Sequence, residues 1–83
     1  MNRKQLLRRL TLGSVQNVQF SDMINLVEGF GFKLDRIHGS HHLFVHHDIP
    51  EILNLQPEGK QAKPYQIRQF LRLIEERELN LED

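Results

Sequence analysis

Five histidines fall within ten residues, in the run His38-Gly39-Ser40-His41-His42-Leu43-Phe44-Val45-His46-His47. Imidazole is the side chain whose charge ordinarily changes near neutral pH, so such a cluster suits proton transfer, metal ligation or a merely polar strand. A metal needs three or four donors converging on one point. His42 and His46 share a strand face, yet four residues of strand span about 13 Å, too far for one ion. His38 and His41 can approach each other across the turn, but they would need Asp35 or Asp48 to complete a site. No spacing here matches a zinc pattern, and no metal or cofactor is expected. His38, His46 and His47 read as polar surface residues. His41 stands apart because it follows Gly39-Ser40, where a glycine lets another backbone or a phosphate come close.

The elements that must hold this cluster can be read from periodicity. Residues 2–12 form an amphipathic helix on Leu6, Leu7 and Leu10, with Gly13 as its stop. Residues 13–19 lack a period and read as a linker. Ser21 is the expected N-cap of a second helix, which buries Met23, Leu26, Val27 and Phe30 and ends at Gly29 and Gly31. Strands follow at 32–38 and 41–47, joined by a tight Gly39-Ser40 hairpin turn. Asp48-Ile49-Pro50 is a second turn, residues 51–56 a third strand, and Pro57, Glu58 and Gly59 break it. Pro64 suits the first turn of a last helix carrying Ile67, Phe70, Leu71 and Ile74.

Within the second strand, His41, Leu43 and Val45 point one way and His42, Phe44 and His46 the other. Leu43 and Val45 look like core residues, but Phe44 sits on the opposite face, so alternation leaves the orientation open. The whole reads as an α+β two-layer sandwich, a three-stranded antiparallel sheet with helices on one face and an extra N-terminal helix.

Composition narrows the class. The 83 residues make one small domain, with no cysteine for a disulfide or a thiolate metal site. Nothing reads as a membrane span or a signal peptide, so a cytoplasmic protein is expected. Acidic and basic residues balance at 11 each, but Arg3, Lys4, Arg8 and Arg9 crowd the N-terminus while Glu78, Glu82 and Asp83 close the chain. Charge alone announces no nucleic-acid binder.

Gly31-Phe32, then Arg36, then Gly39-Ser40-His41-His42 with Phe44 two residues on, resembles the signature of the HicA toxin family. Pro57, Gly59-Lys60 and the helix over 64–74 resemble that family's C-terminal part. The resemblance divides the chain into an N-terminal helix and linker at 1–19 and a HicA-like α-β-β-β-α domain at 20–83. It implies a fold like that of double-stranded-RNA-binding domains and an endoribonuclease that cleaves mRNA without a metal, neutralised by a HicB-like antitoxin. It also implies that His41 is catalytic, as the base that deprotonates a ribose 2′-OH. Arg36, Gly39, Ser40, His42, Lys60 and Lys63 are then candidates for RNA contact. Two features depart from the family pattern: the helix over 2–12, and a neutral charge where many members are basic. They keep in view a non-catalytic RNA- or protein-binding module, and a homodimer stays open.

Overall fold

The computed structural model describes residues 2–82. Helix α1 (Arg3–Thr11) begins where the Asn2 side chain accepts hydrogen bonds from the backbone N–H groups of Lys4 and Gln5, at 2.8 and 3.2 Å. Those are two of the four N–H groups a helix start leaves without partners. It ends as Gly13 N–H and Ser14 N–H close back on the carbonyls of Leu10 and Arg9. This is the Schellman pattern that satisfies the last helical carbonyls.

Helix α2 (Phe20–Gly29) starts ahead of the expected Ser21 cap, with Gln19 as its N-cap. The reason lies outside the helix. Phe20 N–H donates to Lys60 O at 2.9 Å and Gln19 bridges Gln61, so another segment fixes the helix entry. The stretch read as a linker is therefore pinned: Val15 and Val18 are buried, and Val18 O accepts from Ala62 N–H.

Strands β1 (Lys33–His38), β2 (His41–His46) and β3 (Ile49–Leu55) form an antiparallel sheet in the order β1-β2-β3. Gly39 takes φ +64° at the first position of the β1–β2 turn, the left-handed conformation glycine adopts without steric cost. Strand β3 begins earlier than expected and takes in Ile49 and Pro50 of the expected turn. The chain instead reverses at His47-Asp48, and Pro50 is tolerated because β3 is an edge strand. The predicted break after the third strand is itself a small hairpin, β4 (Pro57–Glu58) with β5 (Gln61–Ala62). Helix α3 (Pro64–Glu76) follows, with proline in its first turn.

The helices pack on one face of the sheet, with α1 against α2. Phe44, Leu53 and Leu55 project into a core that also holds Met23, Leu26, Val27, Phe32, Ile67 and Phe70. Phe70 meets Phe30 and Phe32 edge-on, with ring centroids 5.4 and 6.0 Å apart. Leu6 and Leu10 belong to the same core, exposed by only 2 and 1 %. Arg3 also ties α1 to α2, its Nε donating to Asn25 O at 2.8 Å.

Burial at this level makes α1 part of the cooperative unit. Leu10→Ala is expected to cost about 2–5 kcal/mol, read as a lowered denaturant midpoint at unchanged slope. A second expectation concerns acid. The Arg77 guanidinium donates through Nε, at 3.0 Å, and through Nη2 to Glu51 Oε2, holding that carboxyl below its usual value of 4.5. A group with a lowered folded pKa stabilises fully above its unfolded value and loses that contribution as pH falls through the folded one. Arg77→Ala should therefore flatten the fall in stability below about pH 4.5 and leave its shape near neutrality unchanged, as thermal melts across pH would read.

Candidate active site

Strand β2 resolves the orientation that alternation left open. Phe44 is fully buried and His46 is 6 % exposed, so the even-numbered residues face the helices. Leu43 and Val45, read as core, are half-buried on the other face. The larger aromatic at Phe44 decides the matter, since it fits among Phe32, Leu53 and the helices. His41 is thereby turned to the open face.

The pairing register says what surrounds it there. His38 lies directly across from His41 on β1, and Arg36 lies across from Leu43, so both share the open face with His41. On β3, Asn54 lies across from Leu43 and so stands diagonal to His41. The Asn54 amide reaches the imidazole: Oδ1 is 3.2 Å and Nδ2 3.0 Å from His41 Nδ1. His41 is exposed, and its Nε2 has no hydrogen-bond partner among the described residues.

The turn before it is tied down by polar contacts. Ser40 Oγ accepts from Gln56 Nε2 at 3.0 Å, and Gln56 N–H donates to Gln66 Oε1 at 2.8 Å. Gln66 is buried in the first turn of α3, so a short chain of hydrogen bonds joins the Gly39-Ser40 turn to that helix. A buried amide with its oxygen engaged keeps its place, because an unmade bond there would cost about 1–3 kcal/mol.

The remaining sequence-predicted residues divide between two places. Gly39 and Ser40 adjoin His41 in the turn. His42 points the opposite way and is half-buried, edge-on to Phe20 at 4.9 Å. Its Nδ1–H donates to Ser40 O at 3.0 Å. A shallow cavity lined by His42, Lys60, Phe20, Ser21, Gly59 and Gln61 opens there, at the start of α2. Lys60 therefore accompanies His42 and not His41. Lys63 is the N-cap residue of α3, where its carbonyl accepts from Gln66 and Ile67. Among the described residues, no three His, Asp or Glu side chains are placed to hold a metal ion.

Of the other histidines, His38 and His47 are exposed, as read, and His47 lies 3.3 Å from Asp48. His46, read as a surface residue, is not. Its Nε2–H donates to Phe30 O at 2.9 Å and its Nδ1 accepts from Asp48 N–H at 3.1 Å. The ring also packs edge-on against Phe32. Gly31 makes room for it, since a Cβ there would stand 3.0 Å from His46 Nε2.

A protein-family model described as the HicA toxin of bacterial toxin–antitoxin matches residues 20–75. No curated protein and no solved structure gives a significant match. The matched span takes in α2, all five strands and nearly all of α3.

His46, on the helix-facing side of β2, and His38, on the open face of β1, make opposite demands on substitution. His46→Ala removes two hydrogen bonds and a packed ring from the interior, and should cost about 2–4 kcal/mol in chemical denaturation. Substitution of exposed His38 by alanine should change stability by no more than about 0.5 kcal/mol in the same experiment.

Proposed function

The chain belongs to the HicA family of toxins from bacterial toxin–antitoxin systems, and on that footing we propose that it is an endoribonuclease that cuts mRNA with His41 as general base. The observation that carries this reading is the placement of His41. It stands exposed at the hairpin end of the open sheet face, with one ring nitrogen held by Asn54 and the other facing solvent. A base must reach the proton it removes, and a ring nitrogen in solvent can approach a ribose hydroxyl.

The chemistry follows from the substrate. Neutral His41 Nε2 takes the 2′-OH proton, and the 2′-oxygen attacks the adjacent phosphorus. The bond to the 5′-oxygen breaks, giving a 2′,3′-cyclic phosphate and a 5′-hydroxyl once that oxygen is protonated. RNA is required because DNA lacks the nucleophile. No metal enters this proposed route.

Arg36, on the same face, is the proposed phosphate contact, since a guanidinium offers paired donors to phosphate oxygens. The Gly39-Ser40 turn lies beside the base, and Gly39 presents backbone without a side chain in the way. His42, Lys60 and Lys63 lie away from that face and would meet flanking nucleotides instead of the scissile phosphate. The proposed antitoxin is HicB-like, following the family, and it would act by blocking the open face. No helix among the described residues is long and apolar enough to cross a membrane, and we propose a cytoplasmic site of action, where mRNA is met.

Expression without an antitoxin should arrest growth, and His41→Ala should relieve the arrest while leaving the circular dichroism spectrum unchanged. In vitro, the same change should slow RNA cleavage by about 10²–10⁴-fold, the usual contribution of a general base. Replacing the scissile ribose by deoxyribose should stop cleavage at that position. A folded protein that binds RNA yet yields no cyclic-phosphate ends would instead identify a non-catalytic binding module.

A further inference from the structure

We propose that Asn54 is the positioning residue of this site: its Oδ1 accepts Nδ1–H of His41 and so keeps the lone pair on the outward nitrogen, Nε2. The inference rests on the reading of His41 as the base and adds the group that makes it one. The sequence does not mark Asn54, and the family resemblance assigns it nothing.

The three bonded imidazoles of β2 differ in what settles their protons. His42 Nδ1 faces a carbonyl, Ser40 O, so it must carry hydrogen. His46 Nε2 faces a carbonyl, Phe30 O, and its Nδ1 faces the Asp48 N–H, so the hydrogen is on Nε2. His41 alone meets a side-chain amide, which can either accept through Oδ1 or donate through Nδ2, both within reach of Nδ1. A rotation of the amide about its last torsion interchanges the two.

The two arrangements have opposite chemistry. With Nδ2 donating, the Nδ1 lone pair is engaged and the hydrogen sits on Nε2, so the exposed nitrogen cannot take a proton. With Oδ1 accepting, Nε2 is the free base. Only the second survives a catalytic cycle. Once Nε2 has taken the ribose proton, both ring nitrogens carry hydrogen, and Oδ1 still accepts from Nδ1–H. An Nδ2 donor would then face another donor. The charged or titratable groups that β1 brings to that face are His38, directly across, then Arg36 and, farther along the strand, Lys33, with exposed Asp35 in the bulge before Arg36, while β3 supplies the neutral Asn54.

Asn54 is also poorly explained as scaffolding. It is half-buried on the open face, between Leu53 and Leu55, which carry the packing of β3. Its removal should leave the fold in place.

The test reads the ring directly. Long-range ¹⁵N–¹H correlation spectra of the free protein near neutral pH should show His41 with hydrogen on Nδ1 and an unprotonated Nε2. Asn54→Ala should move the hydrogen toward Nε2 and lower kcat by about tenfold to a hundredfold with KM little changed, the range seen when partners that orient metal-bound imidazoles are removed. Asn54→Asp, which can only accept, should retain the Nδ1–H form and cleavage, and should move the acid limb of the pH–rate profile upward, because a carboxylate favours the charged ring. Hydrogen on Nε2 in the unsubstituted protein would overturn the proposal. So would an Asn54→Ala protein with the tautomer and kcat of the original. Full-rate cleavage by His41→Ala would defeat the base assignment, whereas the spectra, recorded without RNA, judge Asn54 separately.

Discussion

The period of two along β2 is the constraint on which the site depends. Adjacent side chains of a strand leave on opposite faces, so His41 and His42 cannot serve the same surface. Burying Phe44 among Phe32, Leu53 and Leu55 selects which histidine goes outward. A one-residue slip would send His41 beneath the helices and bring Leu43 and Val45 into the core in place of Phe44 and His46. The hydrophobic interior thus sets the chemistry of the exterior through a single parity. The turn at Gly39-Ser40 then places the outward, exposed ring at the end of the sheet.

Much of this architecture was legible in the residues. The amphipathic stripes of Leu6 with Leu10, and of Ile67, Phe70 and Ile74, give α1 and α3, and the Gly39-Ser40 turn gives the first hairpin. The parity of β2 was not, because each of its faces holds an apolar residue, and only the packed volume around Phe44 decides between them. The start of α2 differs from the expected Ser21 cap for a related reason. Its first N–H is satisfied by Lys60, forty residues on, which no local capping pattern records. His46 looked like surface for want of its partner, the carbonyl of Phe30, which belongs to another element.

Asn54 shows where a sequence stops being informative about a site. Its proximity to His41 depends on the register of β2 against β3, and that register shifts between Phe44 and His46, where the longer run of β3 is accommodated. Counting residues outward from the His47-Asp48 turn would set Asn54 directly across from His41, whereas the shifted register puts it across from Leu43 and diagonal to the imidazole. Strand parity separates Lys60 from His41, since Lys60 lies beside His42, whose ring leaves β2 on the opposite face, although both belong to the stretch that resembles the family. Spacing along a chain indicates which groups are available, and strand register decides which of them meet.

The participation of α1 in the interior has a bearing on how the molecule can be cut and recombined. The family match begins at residue 20, yet Leu6 and Leu10 fill space beneath the segment it covers. Residues 20–75 lifted into a chimera would therefore carry an oily scar where α1 had been, and would tend to stick to whatever chain first covered it. Leu6, Leu10, Val15 and Val18 thus supply, from the same chain, the apolar cover that the matched segment needs.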